Sequence, residues 1–186
     1  MYIYIYIYKI ALMGASGAGK TALLDVLAGK KSGGIIEGDI RINNKPKDKY
    51  FDRYVGYVEQ FDSHIETATV REAVTFSATL RLPSDMTLKE KQERVEKVLA
   101  QLDLLHVADE KIGSTEIGGL PPELRKKVTI AVELVADPAI LFLDEPTTGL
   151  SSTAAIEVME TVRRLANEIC VICTIHQVVF EYNQQI

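Results

Sequence analysis

Eight residues, "GASGAGKT" from Gly14 to Thr21, constrain this chain more than any other stretch. They fit the pattern G-x-x-x-x-G-K-[ST] at every position, with a β-prone apolar run before them and the helix-patterned "TALLDVLA" after. Strand, glycine-rich turn and helix are the setting in which such a loop cradles phosphate. Gly14, Gly17 and Gly19 permit a tight turn and close backbone approach. The backbone N–H groups of the loop, through Ala15, Ser16 and Ala18, and the N-terminus of the helix then face an anion. Lys20 is expected to set a point charge at the β- and γ-phosphates, and the Thr21 hydroxyl to ligate Mg²⁺. The competing reading is a glycine-rich turn with a chance lysine.

A second stretch answers the first. "AILFLDEP" is a continuous apolar run that ends in Asp144 and Glu145. It reads as a strand buried on both faces, as in a parallel sheet. Ligands of open parallel sheets bind outside the carboxyl ends of the strands. Asp144 is therefore expected to hold Mg²⁺, directly or through water, and Glu145 to act as general base on the attacking water. Two exposed acids capping a loop would be the bland alternative.

The rest of the chain supplies the scaffold. Residues 2–13 read as one strand, and Thr21–Ala28 as a helix closed by Gly29. "GGIIEGDIRINNKP" alternates like a short strand followed by a turn over Asn43–Pro46. "YVGYVEQF" reads as a further strand. Thr69 with Glu72, and Thr87 with Glu90, have the spacing of capping boxes that open two helices separated by Pro83. "ELRKKVTIAVELVA" and "STAAIEVMETVRRLANE" are helical, and "ICVICTIH" is the last strand. Strands alternating with helices predict an α/β fold with a largely parallel sheet. Residues 69–130, mainly helical, look like a helical subdomain inserted in it.

Composition removes several function classes. The net charge of −5 offers no basic face for nucleic acid. The run Arg125-Lys126-Lys127 is short and is expected to be solvated helix surface. No apolar run reaches the roughly 18–20 residues that span a bilayer, so any membrane link is expected through a partner or a missing part of the chain. Cys170 and Cys173 have C-x-x-C spacing, but residues three apart on a strand point to opposite faces. Two structural thiols in a reducing cytosol are the better reading than a redox or zinc site.

In order along the chain stand the phosphate loop, Gln60 at the end of a strand, a helical insertion, Asp144-Glu145 and His176 at the end of another strand. That order resembles the ATP-binding domain of an ABC transporter, and the resemblance covers nearly the whole chain. The wording of "ALMGASGAGKTALLDVLAGKK", "YVGYVEQFDSH", "RKKVTIAVELVADPAILFLDEPTTGL" and "CTIHQ" is similar to the pleiotropic-drug-resistance branch of the G subfamily, most of all its second ATPase domain. The resemblance implies a P-loop NTPase core with a helical subdomain, of ABC ATPase type. It implies ATP and Mg²⁺ as ligands, with Gln60 sensing Mg²⁺ and water and His176 touching the γ-phosphate. It further implies two partners, a second ABC ATPase domain and a membrane-spanning domain, and a place on the cytoplasmic side of a membrane.

The chain also departs from that pattern. Where the family has a serine-glycine-glycine signature loop before a basic helix, this chain has Leu120-Pro121-Pro122-Glu123-Leu124. Two prolines remove N–H donors, and Glu123 puts negative charge where phosphate would come. The resemblance therefore implies asymmetry: Lys20, Asp144 and Glu145 would complete one competent site with another domain's signature loop, while this loop faces a weak or dead one. Ser151 stands where the family has aspartate, which bears on coupling between domains. The opening Tyr-Ile alternation has the period and propensity of a strand, yet an in-frame TA repeat also encodes it. The expectation is one ATP-binding domain over residues 1–186, incomplete at both ends. Two alternatives remain beside the transporter reading: a soluble ABC ATPase without a membrane domain, and a non-catalytic nucleotide-binding fragment.

Overall fold

A computed structural model of the chain describes residues 9–31, 33–114 and 116–176. The Tyr-Ile opening, with Tyr2, Tyr4, Tyr6 and Tyr8, and the closing run from residue 177 lie outside the described residues. Four strands form the central sheet: β1 (Lys9–Met13), β4 (Val55–Val58), β7 (Ile140–Leu143) and β8 (Cys170–Ile175). Their spatial order is β1-β8-β7-β4, and every pairing is parallel. The register sets Ile140 beside Cys170 and Lys9 beside Val171.

Parallel strands need crossovers, and helices supply them on both faces. On one face, α1 (Lys20–Ala28) packs Leu24 and Ala28 against Phe51, Tyr57, Phe142 and Ile172. On the other, α4 (Pro122–Leu134) and α5 (Ser152–Leu165) cover Leu141, Leu143, Val171 and Cys173. The split follows the period of two along each strand. Cys170 packs with the α1 face and Cys173 with the other, so the two thiols point apart. Burial pushes both thiols up, Cys173 to about 11. At β4, the Tyr57 N–H donates to Glu133 Oε2 at 3.1 Å, so a side chain from α4 occupies a donor that a bare edge would expose. The Tyr57 hydroxyl donates to Asp25 Oδ1 at 2.7 Å and ties α1 to the sheet.

The insertion carries α2 (Val70–Arg81) and α3 (Leu88–Gln101). Thr69 and Thr87 open them with complete capping boxes to Glu72 and Glu90. Val74, Val95, Val98 and Leu99 join one apolar cluster with Val128 and Ala131 of α4 and with Leu141 and Leu143 of the sheet. Helix α4 is thus the piece through which the insertion and the sheet share a core.

Three expectations change. The alternating run before Pro46 yields only a hairpin of β2 (Arg41–Ile42) and β3 (Lys45–Pro46). Its turn narrows to Asn43 and Asn44, both at positive φ (49° and 64°), the backbone a two-residue hairpin demands. Ile35 is 91% exposed: with no face to bury, the alternation forms no longer strand. The insertion also contains the pair β5 (Gly113–Ser114) and β6 (Gly118–Gly119). A side chain at Gly113 would meet the Gly118 carbonyl, and one at Gly119 would lie 2.5 Å from the Ile112 carbonyl. These glycines serve a close crossing of backbones.

The third change concerns the basic run. Lys126 and Lys127 are buried, at 2% and 7% exposure, not solvated. Helix α4 lies between α2, α5 and β4, so a basic residue on it meets protein instead of water. Buried lysines need partners. Lys126 Nζ has three: the carbonyls of Glu59 (3.2 Å) and Gln60 (2.9 Å) and the Asp62 carboxylate (2.7 Å).

Candidate functional site

Strand β1 delivers the chain to the phosphate loop at the carboxyl edge of the sheet, where β4, β7 and β8 also end. Inside the loop, Ala18 N–H donates to the Ala15 carbonyl at 3.2 Å. Gly19, the N-cap of α1, has φ 85°. A Cβ there would meet nothing within 4 Å, so glycine is required by conformation and not by space. Lys20 folds back over the loop and donates to the carbonyls of Gly14 (2.8 Å) and Ala15 (3.1 Å). Its ammonium also lies 3.5 Å from Glu145 Oε1.

The acids at the end of β7 are held differently from one another. Asp144 is 5% exposed. Its Oδ1 accepts from the Thr21 hydroxyl at 3.0 Å and from the Thr174 hydroxyl at 2.7 Å. Glu145 takes φ 44°, a left-handed backbone that costs a non-glycine residue energy. Its N–H donates to Thr174 Oγ1 at 2.7 Å. One fully buried hydroxyl on β8 therefore holds the side chain of one acid and the backbone of the next. The Glu145 carboxylate turns into the cleft. Its Oε2 accepts from Gln60 Nε2 at 3.1 Å and from the Thr148 hydroxyl at 2.9 Å.

Gln60 reaches this point because it stands two residues beyond β4, and His176 because it directly follows β8. Both line one open cleft of about 720 Å³ with Ser16, Gly17, Gly19, Lys20, Thr21 and Glu145. The volume falls in the range of small-ligand pockets. Asp144 lies beneath it, reached through Thr21. Lys20, Thr21, Gln60, Glu145 and His176, singled out in the sequence, therefore come together on one cleft, with the Gln60 amide on Glu145 and not on the Asp144–Thr21 pair. Two hydroxyls were not singled out. Thr148 sits in an ordinary-looking loop sequence, and Thr174 in an apolar strand where β-propensity alone accounts for threonine.

The segment Leu120–Leu124 lies outside the cleft lining. Pro121 is the N-cap of α4 and Pro122 its first residue, where a missing N–H costs nothing. Glu123 suits the positive end of its own helix, and by the same token it offsets that end's attraction for any other anion. Ser151 is the N-cap of α5, its Oγ accepting from Ala154 N–H at 3.3 Å.

Three comparisons bear on this arrangement. A family model described as ABC transporter matches residues 7–148. The chain is 52% identical over 169 residues to ABC transporter G family member 2 of Dictyostelium discoideum, covering 90% of this chain and 13% of that protein. It is 54% identical over 171 residues to ABC transporter G family member 31 of Arabidopsis thaliana, covering 90% and 12%. The chain thus spans about an eighth of the length of these relatives. Among solved structures it is similar to cbiO1 from Clostridium perfringens, part of the ABC transporter complex cbiONQ. That match has a TM-score of 0.78 at 28% identity, over 91% of this chain and 67% of that one. The dimeric bacterial ABC transporter cassette MJ0796 shares the fold, with a TM-score of 0.73 at 24% identity over 94% and 78%.

Proposed function

The chain belongs to the ABC transporter family, and from that premise we propose that it binds and hydrolyses ATP to power export across a membrane. The observation that carries this reading is the convergence of Lys20, Gln60, Glu145 and His176 on one cleft above the Asp144–Thr21 pair. Lys20 and the loop N–H groups bind and orient the phosphates. Gln60 and Thr148 hold the Glu145 carboxylate toward the cleft, where it takes the proton of the attacking water. His176 faces the γ-phosphate from the end of β8.

Thr21 and Asp144, with Gln60 nearby, would hold Mg²⁺. Two oxygen donors 3.0 Å apart fit a hard cation. Among the described residues no three His, Cys, Asp or Glu side chains form a metal cluster, which suits an ion bound by one or two protein groups plus substrate phosphates. Bound there, Mg²⁺ neutralises charge on the phosphoryl oxygens.

The proposal includes two partners. A second ABC ATPase domain supplies the signature loop for this cleft, whose lining does not include Leu120–Leu124, while Pro121, Pro122 and Glu123 equip this chain's own loop poorly for a phosphate on that second domain. A membrane-spanning domain supplies the path and the substrate specificity. No helix among the described residues is long and apolar enough to cross a membrane; the place on the cytoplasmic face is proposed from the family resemblance, through that domain. The prolines also favour a second reading, a module that binds ATP without turnover.

Binding and hydrolysis of Mg-ATP by wild type, Lys20→Ala and Glu145→Gln test both. Lys20→Ala should abolish binding; equal binding by the two proteins removes the site. The isolated chain should turn over far below ordinary enzyme rates of roughly 1–1000 per second until a domain with an intact signature loop is added. Glu145→Gln should then trap ATP. No turnover even with that domain favours the binding module.

A further inference from the structure

The buried ammonium of Lys126 has no part in the cleft, yet it governs a residue that does. Its three hydrogens meet three acceptors, two of them the backbone carbonyls of Glu59 and Gln60. The third acceptor is itself held. Thr129 Oγ1 lies 2.6 Å from Asp62 Oδ1, and His64 Nε2 lies 2.8 Å from Thr129 Oγ1. A hydroxyl has one hydrogen to give. Thr129 gives it to the carboxylate, so His64 donates to Thr129 from Nε2. Lys126 and Thr129, three apart on one face of α4, thereby clamp the whole turn from Glu59 to His64. Gln60 sits in that turn with its carbonyl on Lys126 and its amide on Glu145.

We propose that Lys126 is a positioning residue for Gln60. By fixing the backbone at Glu59–Gln60 against α4, it decides whether the Gln60 amide reaches the cleft. The strut also has a second end. Helix α4 begins at Pro122, in the segment that would face the other site of a pair, so one helix carries both that segment and the lysine that holds Gln60. The inference rests on the nucleotide-site reading given above and extends it.

The test uses the 186-residue chain and the fluorescent analogue mant-ATP, titrated in EDTA and in MgCl₂. The quantity read is the ratio of the two dissociation constants, the Mg²⁺ response. Gln60→Ala should reduce it roughly tenfold, the usual lower scale for losing a metal-site neighbour. Lys126→Met should reduce it by a similar factor, and the double variant no further. A structural defect alone would multiply with Gln60→Ala. Thr129→Val, a milder break in the clamp, should reduce the response less and should have no effect in the Gln60→Ala background.

A folded Lys126→Met with the wild-type response, or multiplying effects, overturns the proposal. Should Lys126→Met fail to fold, an unchanged response in Thr129→Val overturns it instead. An unchanged response in Gln60→Ala removes the role of Gln60 and with it that of Lys126. Lys20→Ala separates the two levels: if it binds mant-ATP like wild type, the nucleotide site itself is wrong. If it abolishes binding while Lys126→Met responds normally, only the clamp is wrong.

Discussion

Glu145 holds a backbone that a glutamate does not choose, and Thr174 is the group that meets its N–H. Thr174→Val keeps the shape of the side chain and removes both hydrogen bonds. It leaves the part-buried Glu145 N–H without this partner and Asp144 with one hydroxyl fewer, a loss of about 1–3 kcal/mol. Urea unfolding should show that loss, and Thr174→Ser should restore most of it; equal stability of wild type and the valine variant would deny the bridge. The sequence makes Lys20, Thr21, Asp144 and Glu145 legible because their chemistry depends on neighbours along the chain. Thr174 is not legible, since its partner Asp144 is 30 residues away and its hydroxyl hides in an apolar run. Lys126 misleads outright: a lysine in a basic run signals water, and two of its three partners are backbone carbonyls, which have no letter in a sequence.

Helix ends are the elements best read in advance, because a cap is a contact between residues three apart. Both capping boxes form where the spacing placed them. Ser151 extends the lesson. At the mouth of α5 it performs the N-cap role that aspartate performs equally well, so Ser151→Ala should cost about 1 kcal/mol in thermal or urea unfolding while Ser151→Asp costs almost nothing. Short strands are the elements least well read, because β2, β3, β5 and β6 exist only where a partner segment passes, and for β5 and β6 only where glycines let it pass closely. The turn clamped to α4 has its own signature in pH. Burial lowers the His64 pKa below its ordinary 6.5, with Asp62 opposing only in part. The unfolded chain then binds more protons in the window just below about pH 6.5, so stability rises with pH there. The His64 contribution is complete above that value and is lost as pH falls toward the lower folded pKa. His64→Gln should flatten this part of the stability profile and leave the more acidic carboxylate region unchanged.

For the whole molecule, the alternation of strands and helices made the α/β class legible, whereas the order β1-β8-β7-β4 was not. Which strand lies beside which is settled by crossovers and by which apolar faces meet, not by neighbours in the chain. A ligand that binds only the folded chain stabilises all of it. ATP at a hundred times its Kd adds about 2.7 kcal/mol, roughly 5–11 °C in Tm for a chain of this size. Wild type should show that shift and Lys20→Ala should not; an equal shift in both would place the ligand elsewhere.

Strand β8 carries one further consequence. Its two cysteines face different helical layers, and neither thiol ionises readily while packed. Each becomes reactive when its own layer parts and its pKa returns toward about 8.5. The protein therefore contains a two-channel recorder of its own breathing. Labelling at Cys170, half-buried while α1 is in place, quickens when α1 lifts, and labelling at the buried Cys173 times the lifting of the α4–α5 layer. If the two rates coincide under mild denaturant, the sheet loses both coats in a single event; if they differ, the slower channel names the layer that peels last.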